Sequence, residues 1–181
     1  YYPVLSTSLS LSIFTPRLHG SVTYLPRQNK TCALAMMEAR LAAAAQGDAD
    51  ALFTLGRMHR KGQGGPEDSA EARRLLGLAA AQGHAEAQYT LGAMHRSGEG
   101  GPQDFAEARS LLGLAAAQGH ADAQYMLSRM HYLGDGGPQN YVEARRLLGL
   151  AVAQGHAEAQ FALGSMHRSG KGGPQDHAEA R

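Results

Sequence analysis

The chain has 181 residues, of which 43% are hydrophobic, and its 17 Lys and Arg nearly balance its 16 Asp and Glu, for a formal net charge of +1. This length and composition suffice for one core, and without a basic stripe to release counterions from phosphates we expect no nucleic-acid partner. No run of 18 apolar residues occurs, so no membrane span is predicted, and the single cysteine, Cys32, excludes an intramolecular disulfide.

Residues 1–32 share nothing with the rest of the chain. Residues 5–14 alternate apolar and hydroxyl side chains, as a short strand would, but prolines and a glycine interrupt the segment. No Asp or Glu precedes Glu38, and a serine-rich, basic, acid-free composition is typical of organelle transit peptides. Because no amphipathic arginine-containing helix is evident, we favour the alternative, a poorly ordered tail or an unrelated leader.

From residue 33 onward one pattern recurs every 36 residues. A repeat of this length is one supersecondary unit stacked on its neighbours. The pattern is carried by Gln-Gly at 46, 82, 118 and 154, by Met-His at 58, 94, 130 and 166, and by Gly-Gly-Pro at 64, 100, 136 and 172. It predicts a repeat domain over 33–181, composed of a half repeat (33–47), full repeats (48–83, 84–119, 120–155) and a truncated repeat (156–181).

The sequence starts at Tyr1 without a methionine and stops at Arg181, partway through a repeat. We therefore expect it to be a fragment of a longer protein.

The copy at 84–119 serves as the template for two helices. Residues 85–96 place Ala87, Leu91 and Met94 on one stripe, which predicts an amphipathic helix, here called helix A. Gly98 can adopt the left-handed conformation that ends such a helix.

Helix B follows the Gly-Gly-Pro loop. Asp104 as N-cap and Glu107 at the third helical position resemble a capping box. Its apolar stripe consists of Ala108, Leu111, Leu112 and Ala115. Glycines recur inside both helices, at Gly92 and at Gly113, and each costs about 1 kcal/mol of helix propensity. We expect both to mark places where helix backbones pack closely.

These residues resemble the Sel1-like repeat, a relative of the tetratricopeptide repeat. The matching positions are Ala85, Ala87, Leu91, Gly92, Gly98, Gly100, Asp104, Ala108, Ala115, Ala116, Gln118, Gly119, His120 and Ala121. The resemblance covers residues 33–181. It implies an all-α, right-handed superhelical solenoid of antiparallel helix pairs, with helix A on the concave side. It also implies a role as an adaptor that assembles other proteins.

The repeat departs from the family pattern in three places. Histidine follows the methionine of helix A where the family usually has tyrosine, and a second glycine (Gly65, Gly101, Gly137, Gly173) stands where it usually has valine. Leu-Leu replaces an aromatic pair in helix B. We therefore expect loops without their apolar anchor and a softer solenoid.

The nine histidines invite a metal hypothesis, which the geometry disfavours. Equivalent residues on packed helices lie roughly 10 Å apart, whereas each zinc ligand must lie about 2 Å from the metal. We therefore predict no metal site, and assign the histidines to packing and capping, with protonation below about pH 6.5 expected to loosen the stack.

Catalytic signatures are also lacking. The glycine loops lack the Lys-Ser/Thr pair of a P-loop. The acidic residues Glu86, Asp104 and Glu107 have equivalents in the other copies, whereas the residues of an active site are not expected to recur in every repeat. We predict no catalytic residue, no cofactor, no small-molecule substrate and no enzyme activity. A repeat-type hydrolase is retained as an alternative, although the enzymes that the resemblance suggests are cysteine-rich.

Partner specificity is expected where the copies differ. In the third copy Met126, Tyr132 and Leu133 replace Thr, Arg and Lys or Ser, and exposed apolar residues among arginines are favoured in interaction hot spots. Drift on a solvated face is the simpler explanation for any single position. We predict a protein-interaction scaffold, or alternatively an architectural spacer between further domains. The predicted partner-binding residues on helix A are Arg57, Arg60, Arg96, Met126, Arg129, Tyr132, Leu133 and Arg168.

Overall fold

The computed structural model describes residues 38–63 and 65–176, and within these ranges the chain forms eight α-helices and no strand. The predictions for the N-terminal segment and for helix B of the last copy fall on residues outside the described ranges. The helices are α1 (38–45, as far as it is described), α2 (Ala49–Arg60), α3 (Ser69–Ala81), α4 (Ala85–Ser97), α5 (Phe105–Ala117), α6 (Ala121–Leu133), α7 (Tyr141–Ala153) and α8 (Ala157–Ser169).

The helices alternate between the two predicted types. Helix A of successive copies is α2, α4, α6 and α8, and helix B is α3, α5 and α7. Each helix from α2 onward packs mainly against its neighbours along the chain, and short connections make these neighbours antiparallel. The chain is thus an all-α repeat solenoid, as the periodicity predicted.

The two predicted apolar stripes form the core. Met94 of helix A and Leu112 of helix B are fully buried, and so are their counterparts Leu76 and Met130. Alanines at the remaining stripe positions bring the helices together without leaving large gaps. Stability therefore depends on the interfaces between adjacent helices.

The start of helix B is capped as predicted. Asp104 Oδ1 accepts hydrogen bonds from the backbone N–H groups of Ala106 and Glu107, each at 3.0 Å. The rest of the capping box differs from the usual form, because the N–H of Asp104 donates to the carbonyl of His95 at 2.9 Å. This bond joins the start of helix B to the last turn of helix A. Asp68 and Asn140 cap their helices in the same way.

A buried glutamine connects successive repeats. Gln88 of α4 is 3% exposed, and its Nε2 donates to the carbonyl of Ala80 in α3 at 3.1 Å. Its Oε1 accepts from Nε2 of Gln118 at the end of α5, at 2.7 Å. Since buried polar side chains are nearly always hydrogen-bonded, these two bonds hold three helix ends relative to each other. Gln124 and Gln154 form the equivalent contacts one repeat later.

The helix glycines fall into two groups, which corrects one expectation. A Cβ at Gly92 would lie 2.9 Å from Leu112 Cγ and 3.3 Å from the carbonyl oxygen of Ala108, so helix A does approach helix B closely there. A Cβ at Gly113 would meet nothing within 4 Å, so the expectation of close packing was wrong for helix B.

Replacement of Leu111 by alanine tests the assigned core face. Leu111 is 8% exposed, whereas Leu114 on the same helix is 52% exposed. We expect Leu111→Ala to lower the free energy of unfolding by about 2–5 kcal/mol, and Leu114→Ala to change it by less than about 1 kcal/mol. Urea unfolding followed by circular dichroism measures both, and equal losses would contradict the assigned face.

The two glycines provide a second, internally matched pair. Gly113→Ala should stabilise the chain by about 0.5–1 kcal/mol, because alanine is the better helix former and has room. Gly92→Ala should destabilise it by about 1–3 kcal/mol, because Leu112 must move. Urea unfolding distinguishes the two variants. If Gly92→Ala stabilised the chain, helix A and helix B would be able to move apart there at no cost in free energy.

Candidate interaction surface

A histidine follows the last three Gln-Gly pairs, and it caps helix A and links it to the preceding copy. Nδ1 of His84 accepts a hydrogen bond from the N–H of Ala87 at 3.2 Å, and its Nε2 lies 3.0 Å from Asp50 Oδ1. The imidazole stacks on the Phe53 ring with centroids 4.7 Å apart. Because Nδ1 accepts, the proton of the neutral ring lies on Nε2. The arrangement recurs at His120 with Tyr89 and at His156 with Tyr125.

In the last three copies, the histidine after the helix A methionine has a different partner, an arginine of the previous helix B. Arg73 Nη2 lies 2.5 Å from Nδ1 of His95, and the same guanidinium donates to the carbonyl of Pro102 at 3.1 and 3.2 Å. One side chain thus holds both the last turn of helix A and the following loop. The contact, here called the arginine clasp, recurs at Arg109–His131–Pro138 and at Arg145–His167–Pro174.

The second loop glycine makes room for the clasp. A Cβ at Gly101 would overlap the Arg73 guanidinium. Its neighbour Gly100 has φ of 74°, and a Cβ there would overlap the carbonyl of Ser69. The loops therefore have a polar anchor where we had expected only the loss of an apolar one.

Two of the clasp histidines, His95 and His131, have a lowered pKa, which favours the neutral ring. Burial lowers the pKa of His95, and the positive charge of Arg73 lowers it further, while Glu107 and Asp104 oppose the shift. Burial and then Arg109 lower the pKa of His131 in the same way, against Glu143. Protonation would place a cation against the guanidinium and remove the acceptor at Nδ1.

Two of the predicted binding residues contact the next repeat. Arg60 forms a bidentate ion pair with Glu99, with Nε to Oε1 at 2.7 Å and Nη2 to Oε2 at 3.0 Å. At the equivalent place in the third copy, Lys171 Nζ donates to Tyr132 Oη at 2.5 Å and lies 4.6 Å from the Tyr132 ring centroid. The arginine and its acid have been replaced together, by a tyrosine and a lysine.

The other six predicted residues divide by exposure. Arg96 and Met126 are half-buried, and Nε of Arg96 has no hydrogen-bond partner among the described residues. Arg57 and Arg129 are exposed, with their guanidinium carbons 5.4 Å and 6.0 Å from the ring centroids of the aromatic residues one turn earlier. The remaining two, Leu133 and Arg168, are also exposed.

Sequence reasoning missed one feature of this surface, a groove between α6 and α8. The groove has a volume of about 400 Å³. The sequence did contain a sign of the groove, namely small side chains at three variable positions of the last helix A. These are Ala162, Ser165 and Ser169, which correspond to Met126, Arg129 and Leu133 one copy earlier.

The described ranges also bear on metal and membrane binding. They contain no group of three or more His, Cys, Asp or Glu side chains placed to hold a metal ion. None of their helices has the length and apolar character needed to cross a bilayer.

The clasp predicts a loss of stability at mildly acidic pH. Histidine in the unfolded chain has its ordinary pKa of 6.5, whereas His95 and His131 in the folded chain have lower values. Between these values the unfolded state binds more protons, so the free energy of unfolding falls as the pH drops below about 6.5 and continues to fall until the folded-state values are passed. Urea unfolding at about pH 7.5 and 5.5 measures the change.

The double variant His95→Gln, His131→Gln is the control. Between pH 7.5 and 5.5 its free energy of unfolding should fall by less than that of the parent, because it lacks two of the histidines whose protonation is coupled to unfolding. The pH range stays above the region where Glu71 and Glu143 titrate, since hydrogen bonds from Arg74 and Arg146 lower the pKa of these carboxyls from 4.5. An equal loss in parent and variant would contradict the assignment.

Comparisons with known proteins agree with this architecture. The Sel1 repeat family model matches residues 49–84, 85–120, 121–156 and 157–181. No curated protein matches the chain. Among solved structures, c5321, described as a protective antigen in uropathogenic Escherichia coli with an SLR fold, is 32% identical at a TM-score of 0.77, and the match covers 80% of this chain and 31% of that one.

A Sel1 repeat protein from Oxalobacter formigenes is 28% identical with a TM-score of 0.76, over 84% of this chain and 64% of that one. The chain thus spans about a third of the first structure and just under two thirds of the second. With the family model matching most of its length, the chain belongs to the Sel1 repeat family.

Proposed function

We propose that the chain is a protein-interaction scaffold that binds a partner on its helix A surface and has no catalytic activity of its own. Sel1 repeat proteins are generally scaffolds of this kind and are typically not catalytic. The chain's near-zero net charge favours a protein over a nucleic acid as the partner.

The observation that carries this proposal is the division between recurring and variable residues. Recurring side chains such as His84, Arg73 and Gln88 form hydrogen bonds within their own repeat or with an adjacent one. These three side chains are therefore committed to the fold. The variable side chains of helix A, by contrast, include several that are exposed.

The exposed variable residues are suited to a protein partner. Leu133 is 57% exposed, and Arg129 lies exposed one turn before it on the same helix. Arginine beside an exposed apolar side chain combines a bidentate hydrogen-bond donor with area to bury, which is the composition of interaction hot spots.

Site-specific photocrosslinking tests the proposal. We would place benzoylphenylalanine at Leu133 of the full chain, expose the protein to native lysate, irradiate it and identify adducts by mass spectrometry. Position 133 is preferred to Tyr132, because Tyr132 contacts Lys171 and its replacement would disturb the stack. A specific protein adduct is expected, and the Arg129→Ser variant should reduce its yield.

The matched control carries the same photoreactive residue at Leu114, which is comparably exposed on helix B. Adducts at 114 but none at 133 would place the partner on the opposite face and refute the helix A surface. No adduct at either position, together with no partner captured by the full chain, would refute the scaffold function and favour the architectural spacer.

A further inference from the structure

The groove between α6 and α8 differs from the rest of the helix A surface in having both depth and an apolar floor. Leu148 of α7, 3% exposed, lies at its base with Met166 of α8. Its walls carry aromatic and hydroxyl side chains. The full lining is Tyr125, Ser128, Arg129, Tyr132, Leu148, Phe161, Ala162, Ser165, Met166 and Ser169.

The groove has its width because α8 carries small side chains. The side chains of α8 that face the groove are no larger than a methyl or hydroxymethyl group, at Ala162, Ser165 and Ser169. At the equivalent positions α6 has methionine, arginine and leucine. Ser128 on the facing wall is also small and turns inward, since its Oγ donates to the carbonyl of Tyr125 at 2.6 Å. A volume of about 400 Å³ accommodates one large side chain and part of the backbone that bears it.

The charge of the groove is one-sided. Arg129 is the only charged residue in its lining, and it forms no ion pair within the described ranges. The one acidic residue of α6, Asp122, is already engaged, since its Oδ1 lies 3.0 Å from Nε2 of His156. At the other end Lys171, against Tyr132, adds a second cation. The groove is therefore apolar at its base and positive at its edge.

We propose that this groove binds a partner segment in which one large apolar side chain lies next to a carboxylate. The apolar side chain would pack on Leu148 and Met166, and the carboxylate would pair with Arg129, whose planar guanidinium can bind it through two parallel hydrogen bonds. This inference rests on the proposed scaffold function and adds the chemistry of the ligand. It makes the junction of the third and fourth copies the specificity-determining part of the surface.

The probe is a phage library that displays random peptides of about 16 residues, selected against the full chain. We expect the selected peptides to share an aromatic or large aliphatic residue adjacent to Asp or Glu. Their affinities would then be measured as synthetic peptides by fluorescence anisotropy.

Two variants locate the binding. The first, here called the filled variant, carries in the groove the side chains that α6 has at the equivalent positions: Ala162→Met, Ser165→Arg and Ser169→Leu. It should weaken binding by at least about tenfold. Arg129→Gln should weaken it by about tenfold for acidic peptides and leave a peptide with the acid replaced by amide unaffected. The control places two of these side chains in α4 (Ala93→Arg, Ser97→Leu), because Thr90 at the third position is buried, and it should bind like the parent. Thermal melts establish that each variant is folded.

Each remaining result overturns the inference. Peptides without an acidic residue, peptides that bind the filled variant as well as the parent, or no enriched peptide at all would exclude this ligand class. A parent that self-associates while the filled variant is monomeric in light scattering would make the groove an interface between copies of the chain. If a partner still crosslinked at position 133 in any of these cases, the proposed scaffold function would stand and only the proposed role of the groove would be refuted.

Discussion

The arginine clasp is the contact on which the order of the repeats depends. Arg73 projects from one copy and bonds a ring nitrogen and a carbonyl of the next, so it fixes the end of helix A and the loop after it in a single contact. The clasp also explains two residue choices. A histidine must supply an unprotonated acceptor at position 95, and Gly101 must lack a Cβ for the guanidinium to lie over the loop.

In the second link between copies, both partners differ between the first and the third junction. Arg60 meets Glu99 at the first junction, and Tyr132 meets Lys171 at the third. An arginine at 132 would face a lysine, a repulsion that tyrosine avoids by accepting a hydrogen bond and offering its ring face to the cation. Variation between copies is therefore not in itself a mark of partner binding, since some of it preserves the stack.

The sequence was sufficient for the features that depend on neighbours along the chain. The 36-residue period predicted the helices, the stripe around Leu112 predicted the core, and Asp104 and Gly98 predicted the ends of helices. Features that depend on neighbours in space were not predictable. Nothing local distinguishes Gly92 from Gly113, because only the facing helix decides whether a Cβ has room. The clasp likewise joins residues 22 positions apart, across a boundary between copies.

The connecting side chains also restrict how such a chain can change in length. Its links span 22, 29, 30 and 39 residues, and they overlap, so an insertion of a few residues inside a copy would displace several of them at once. Duplication of one whole period keeps these spacings, and it recreates the arginine clasp and the glutamine link with the same residue types. Evolution can therefore lengthen or shorten this molecule mainly in whole repeats, and each added repeat brings another junction at which a few substitutions can open or fill a groove.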